Sequence, residues 1–114
     1  MIEAMWGVEF ISNTGNGGFG VAVLETGRIL GGDSSYVYIG SYKIANGLLK
    51  ANIQVTNDRE MLDSIFGDMR QFNLRGQAEI RDEYLLQEFT MFGEMTEDPT
   101  KQILVKFTRR VELP

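Results

Sequence analysis

The sequence predicts an all-β fold: a mainly antiparallel, eight-stranded up-and-down barrel with one short helix, in a single domain spanning residues 1–114. Three observations predict it. Apolar residues recur with period two along nearly the whole chain. Thirteen glycines against two prolines mark many tight connections. Only the stretch around residues 57–69 is long enough for a parallel crossover, which needs about a dozen residues or more. Eight strands in 114 residues either close into a barrel or stack as a sandwich, and closure is preferred because it leaves no edge exposed.

In chain order, Met5–Ile11 is the first strand, with Trp6, Val8 and Phe10 on one face and Met5 and Ile11 on the other. The polar glycine loop Ser12–Gly18 leads into Phe19–Thr26, where Phe19, Val21 and Val23 alternate with Gly20, Ala22 and Leu24. Thr26-Gly27-Arg28 turns into the short strand Arg28–Leu30, closed by Gly31-Gly32-Asp33. Ser35–Ile44 is the most strand-like run, rich in the aromatic and β-branched side chains that suit a half-buried pleated surface. Asn46-Gly47 signals a hairpin, since both residues tolerate the positive φ that matches strand twist. Leu49, Ala51, Ile53 and Val55 form one face of the returning strand, and Lys50, Asn52 and Gln54 its wet face. Asn57 and Glu60 have capping-box spacing, and Met61, Leu62, Ile65 and Phe66 repeat at helical spacing, so a short helix is predicted up to Gly67. Alternation resumes over Phe72–Ile80, Arg81-Asp82-Glu83 turns, and Tyr84–Phe92 is the next strand. Gly93–Lys101 reads as a loop, and the last strand runs from Ile103 to near Val111.

Absent residue types narrow the chemistry most. The chain has no histidine and no cysteine. That removes Ser-His and Cys-His nucleophiles, imidazole proton shuttles, disulfides, and metal sites built on nitrogen or sulfur. No enzymatic activity, cofactor or metal is expected. A net charge of −5 and a pI near 4.7 argue against direct nucleic-acid binding, which needs a positive footprint. They suit a basic protein partner or a neutral ligand. Glu3 interrupts any apolar leader and no apolar run is long enough to span a bilayer, so the expected location is cytoplasmic, without membrane insertion.

Four constellations remain. Gly15-Asn16-Gly17-Gly18-Phe19-Gly20 matches the G-x-G-x-x-G string, whose mechanism requires a helix N-terminus directly after the glycines. Here a strand follows, and a hairpin loop is the preferred reading. The carboxylates Asp82-Glu83, Glu94, Glu97 and Asp98 fall in predicted turns and read as solvated rather than catalytic. Tyr36, Tyr38 and Tyr42 share one face of a strand, and either core packing or an outer aromatic interface fits them; in the second case they are candidates for a barrel-to-barrel contact. Trp6 begins the first strand and Arg109 ends the last, so a closed barrel brings them together as a cation–π pair, with Arg110 exposed.

Ala4-Met5-Trp6 with a basic residue on the last strand resembles the closure device of lipocalin-like barrels, with Ala4 where those usually have glycine. The run Arg28–Tyr42, with its Gly31-Gly32-Asp33-Ser34-Ser35-Tyr36 core, together with Met5–Phe10 and Ser64–Gly67, resembles the GrlR-type family of negative regulators of type III secretion and their uncharacterised relatives. The resemblance implies a lipocalin-like eight-stranded barrel that forms a homodimer and silences a helix-turn-helix transcriptional activator by binding it. It also implies a turn signature, in which Gly31 and Gly32 provide a tight positive-φ connection and Asp33 hydrogen-bonds the local backbone. The enteric regulators carry a run of acids after the tyrosine strand; Ala45-Asn46-Gly47 has none.

Two functions follow as expectations. The first is a non-enzymatic cytoplasmic regulator that binds and sequesters a regulatory protein. The alternative is a barrel that carries a small apolar ligand or lipid, for which Phe10, Phe19, Phe72, Phe89 and Phe107 leave little room if they fill the interior.

Overall fold

A computed structural model describes residues 2–57, 70–82 and 86–114. Eight strands pair in chain order into a closed antiparallel barrel. They are β1 (Ala4–Ser12), β2 (Gly17–Glu25), β3 (Arg28–Gly32), β4 (Tyr36–Ala45), β5 (Leu48–Asn57), β6 (Gln71–Glu79), β7 (Glu88–Met95) and β8 (Gln102–Glu112). The barrel closes where β1 meets β8, from Ser12 opposite Ile103 to Ala4 opposite Glu112, with a bulge between Met5 and Trp6. Between β6 and β7 only Leu74–Gln77 pair with Phe92–Met95, the shortest ladder in the barrel.

Period-two alternation places the core. Along β5 the burial alternates from Leu49 to Val55, and β6 repeats it with Phe72, Leu74 and Ala78 inside. Among the largest fully buried side chains are Trp6, Phe72, Leu24, Leu49, Met91 and Met95. Phe89 and Phe107 stack at 4.5 Å, and Trp6 meets Phe89 edge-on at 5.0 Å. Edge-to-face and offset-stacked rings add about 0.5–1.5 kcal/mol per pair beyond the area they bury. Asn46-Gly47 has the chemistry its residues suggest, both at positive φ, which suits the twist of a two-residue hairpin; Thr26-Gly27 adopts the same signs, although positive φ is unfavourable for a β-branched threonine.

The structure corrects the sequence-based expectations in several places. Among the described residues there is no helix, and these residues form an all-β barrel, where the sequence predicted a barrel with one short helix. The helix expected up to Gly67 lies outside the described residues except for Asn57. That residue is the last of β5, opposite Tyr36, and its N–H donates to the Arg70 carbonyl at 2.6 Å. Gly93 belongs to β7 rather than to a loop, opposite both Gly76 and Ile103. β7 starts at Glu88, and the Tyr84 start expected for it lies outside the described residues.

Gly31 and Gly32 are not a positive-φ turn either. Both belong to β3 and neither is among the positive-φ glycines. Gly31 is required by close approach instead, since a Cβ there would lie 2.8 Å from the Ala22 Cα.

Candidate functional site

Closure of the barrel brings Trp6 and Arg109 into register as Cα partners. The Arg109 guanidinium carbon lies 4.9 Å from the Trp6 ring centroid. Trp6 is fully buried and its indole N–H donates to the Ile2 carbonyl at 2.9 Å. Arg109 Nε donates to the Leu86 carbonyl at 2.9 Å, and the Arg109 backbone N–H to the Gln87 carbonyl at 2.8 Å. The arginine therefore ties three segments together: β1, β8 and the residues before β7. Arg110 has the opposite orientation, exposed and lying over Gly7, where a Cβ would come within 2.5 Å of its Nε.

The three tyrosines share one face of β4, and that face is the inner one. Tyr36 and Tyr42 are buried and Tyr38 is partly so. Of the two readings open to them, core packing is the one they follow and the outer interface is corrected: period two assigns them to the interior together with Gly40, while Val37, Ile39, Ser41 and Lys43 face out.

Asp33 organises the start of this strand. Its Oδ1 accepts the backbone N–H groups of Ser35 and Tyr36, both at 2.8 Å, and its Oδ2 accepts the Tyr38 hydroxyl. The Asp33 N–H donates in turn to the Tyr36 carbonyl at 2.9 Å. Burial, the hydrogen bond to Asp33 and that carboxylate's charge push the Tyr38 phenol above the ordinary tyrosine range. It stays neutral and donates. Gly20 leaves room for the hydroxyl, as a Cβ there would lie 2.9 Å from it and 2.8 Å from the Gly32 carbonyl oxygen.

Inside the barrel is a cavity of about 60 Å³, lined by apolar side chains that include Phe10, Phe72, Met91 and Phe107 and touched by Asp33, Tyr36 and Tyr38. An apolar cavity of about 150 Å³ is the size that takes up a benzene ring. Phe19, expected to help fill the interior, is 75% exposed on the outside instead.

The remaining sequence candidates make local contacts in hairpins, strands and turns. The glycine loop forms the β1–β2 hairpin, with the Ser12 N–H donating to the Asn16 carbonyl at 2.8 Å, and β2 begins at Gly17 where a phosphate site needs a helix. Glu94 pairs with Arg75 at 2.9 Å. Glu97 accepts the Asn73 backbone N–H at 2.9 Å. Thr100 donates its hydroxyl and its N–H to Asp98, holding that carboxyl below the usual range. Asp82 is exposed, and Glu83 lies outside the described residues. Among the described residues, no group of three or more His, Cys, Asp or Glu side chains gathers to hold a metal. No helix there is long and apolar enough to cross a membrane.

The most unusual surface is one that sequence reasoning missed. On the outside of β2–β4, Phe19, Val21, Leu30, Val37 and Ile39 are 75, 48, 42, 37 and 54% exposed. Register makes them neighbours: Val23 faces Leu30, Leu30 faces Ile39, and Val21 and Val37 flank Gly32 from either side. Met5, 39% exposed, extends the face onto β1 opposite Val23. Contiguous apolar area on a protein's outside marks a contact surface far more than single exposed residues do. The odd-numbered apolar residues of β2 and β4 carry this signal in the sequence. Joining them into one patch takes the cross-strand register.

Comparison with known proteins finds no matching family model and no matching curated protein. Among solved structures the chain is similar to a redesigned beta barrel, at 10% identity, covering 96% of this chain and 91% of that one, with a TM-score of 0.49. The barrel described above rests on the register of this chain's own eight strands, from the β1–β2 hairpin round to the β1–β8 closure.

Proposed function

We propose that this protein is a non-enzymatic barrel that acts by binding proteins through the outer face of β1–β4. In this reading it forms a homodimer and holds a regulatory partner, as the resemblance to GrlR-type negative regulators of type III secretion and their helix-turn-helix activator suggests. The observation that carries it is the registered apolar patch of Phe19, Val21, Leu30, Val37 and Ile39. Burying apolar surface is worth about 25 cal/mol per Å², so covering these five neighbouring side chains favours a protein contact.

The interior weighs against the alternative, carriage of an apolar ligand or lipid. A cavity of about 60 Å³ has room for small gaps only, and its walls are occupied by packed core side chains.

Light scattering coupled to size exclusion tests the proposal. At tens of micromolar, wild type should run at roughly twice the 12.9 kDa chain mass, and the Leu30→Asp/Ile39→Asp variant as a monomer. Affinity capture from the native lysate with both proteins should recover a stoichiometric partner on wild type alone. A wild type that is monomeric throughout and captures nothing removes the proposal.

A further inference from the structure

Beside the apolar patch, the same outer surface changes character. Arg28 on β3, Lys43 on β4, Lys50 on β5 and Arg75 on β6 all point outward and are exposed. Register joins them into a diagonal belt. Arg28 faces Ser41, two residues before Lys43; Lys43 faces Lys50 directly; and Lys50 faces Gln77, two residues after Arg75. Directly opposed side chains are about 4.5–5.5 Å apart at Cβ and diagonal ones about 7–8 Å, so the four cations form one cluster.

Three acids lie on this belt among the described residues, the first being Glu79, exposed and diagonal to Lys50 on the side away from Arg75. Glu25 stands opposite Arg28, and Glu94 is bonded to Arg75. Lys43 and Lys50 form no ion pair among the described residues, and like charges directly opposite one another destabilise a sheet. This positive cluster sits on a chain of net charge −5. At its β5–β7 end the surface sinks into a groove of about 340 Å³ lined by Lys50, Asn52, Arg75, Gln77, Phe92 and Glu94.

We propose that the outer surface of β3–β6 is the docking site for an acidic segment of a partner protein. Its carboxylates meet Lys43 and Lys50, with Arg28 and Arg75 on either side, and the amides of Asn52 and Gln77 bond its backbone. Along β4 the outward order is Val37, Ile39, Ser41, Lys43, so the cations begin where the apolar face ends. This identifies the chemistry of the partner and rests on the protein-binding reading only in taking that partner to be a protein. A nucleic acid fits less well, because a long polyanion must cross the negative remainder of the surface, and among the described residues Phe92 is the one aromatic ring lining the groove on which a base could stack.

Fluorescence anisotropy with a labelled ten-residue oligoglutamate peptide tests the proposal at low ionic strength, with a labelled ten-nucleotide oligothymidylate for comparison. Wild type should bind the peptide saturably, more weakly as salt rises, and in preference to the oligonucleotide. Lys43→Gln/Lys50→Gln should weaken peptide binding at least tenfold while melting about 1–4 °C higher at low salt, since it removes a repulsive pair. Leu30→Ser/Ile39→Ser should change peptide binding less than twofold. No saturable peptide binding, equal binding by the lysine variant, or tighter binding of the oligonucleotide would each overturn it. Peptide binding that persists in a wild type that never self-associates supports the cationic site and refutes the apolar homodimer face alone.

Discussion

Replacing Arg109 with alanine tests how the barrel is sealed. In the folded protein its guanidinium lies 4.9 Å from the centroid of a fully buried indole, and a desolvated cation–π contact of this kind contributes roughly 1–2 kcal/mol. Its Nε also donates to the Leu86 carbonyl at 2.9 Å, a charge-assisted bond worth about 1.5 kcal/mol at the low end. Part of the side chain remains wet, which returns some of both terms, and about 2 kcal/mol is the expected loss. Arg109→Lys keeps the charge but not the planar stack or the Nε donor, and should lose about 1 kcal/mol. Arg110→Ala, exposed one residue further on, should stay within about 0.5 kcal/mol. Urea unfolding followed by Trp6 emission reads all three, with unchanged m-values as the check on two-state behaviour. The corresponding fall in Tm for Arg109→Ala is roughly 8–12 °C for a domain of this size. Equal losses for Arg109→Ala and Arg110→Ala, or less than about 0.5 kcal/mol for the former, would refute stacking as a source of closure energy.

Other perturbations give equally direct readings. Gly20→Ala places a methyl 2.8 Å from the Gly32 carbonyl oxygen and 2.9 Å from the Tyr38 hydroxyl; it should cost about 1–3 kcal/mol in urea melts, with part of the loss recovered in a Tyr38→Phe background. Tyr38→Phe alone removes the hydrogen bond to Asp33 and should cost about 1–2 kcal/mol at neutral pH. The raised Tyr38 pKa also predicts an alkaline slope. Above pH 10 the unfolded phenol releases its proton while the folded one keeps it, so this group's stabilisation is complete below pH 10 and declines above it. Denaturation measured from pH 9 to 11 should fall less steeply for Tyr38→Phe than for wild type, and parallel slopes would disprove the assignment. Glu94→Gln breaks an ion pair whose side chains are 50 and 30% exposed, and should change stability by no more than about 0.5 kcal/mol.

Local chemistry made most of the barrel legible in the sequence. Alternation with period two is a property of each strand by itself, so the inner faces of β1, β5, β6 and β8 follow directly from residue order. Asn46-Gly47 specifies its turn through backbone preference alone, whereas Thr26 takes a positive φ that its β-branched side chain disfavours. The pairing of Trp6 with Arg109 was also within reach, because barrel closure makes the first and last strands neighbours.

What only the tertiary structure decided is which of two alternating faces lies inside when both are apolar, and which residues of different strands become neighbours. On β2 and β4 both parities carry large apolar side chains. Phe19, Val21 and Ile39 emerged outside, while Ala22, Leu24, Tyr36 and Tyr42 went in. A one-residue change of register reverses that assignment, and nothing local to either strand sets it. The register comes from hydrogen bonds to the adjoining strands and from the limited volume of the closed interior. The close approach at Gly31, the apolar outer patch and the cationic belt all arise between strands, and residue order alone does not hold them.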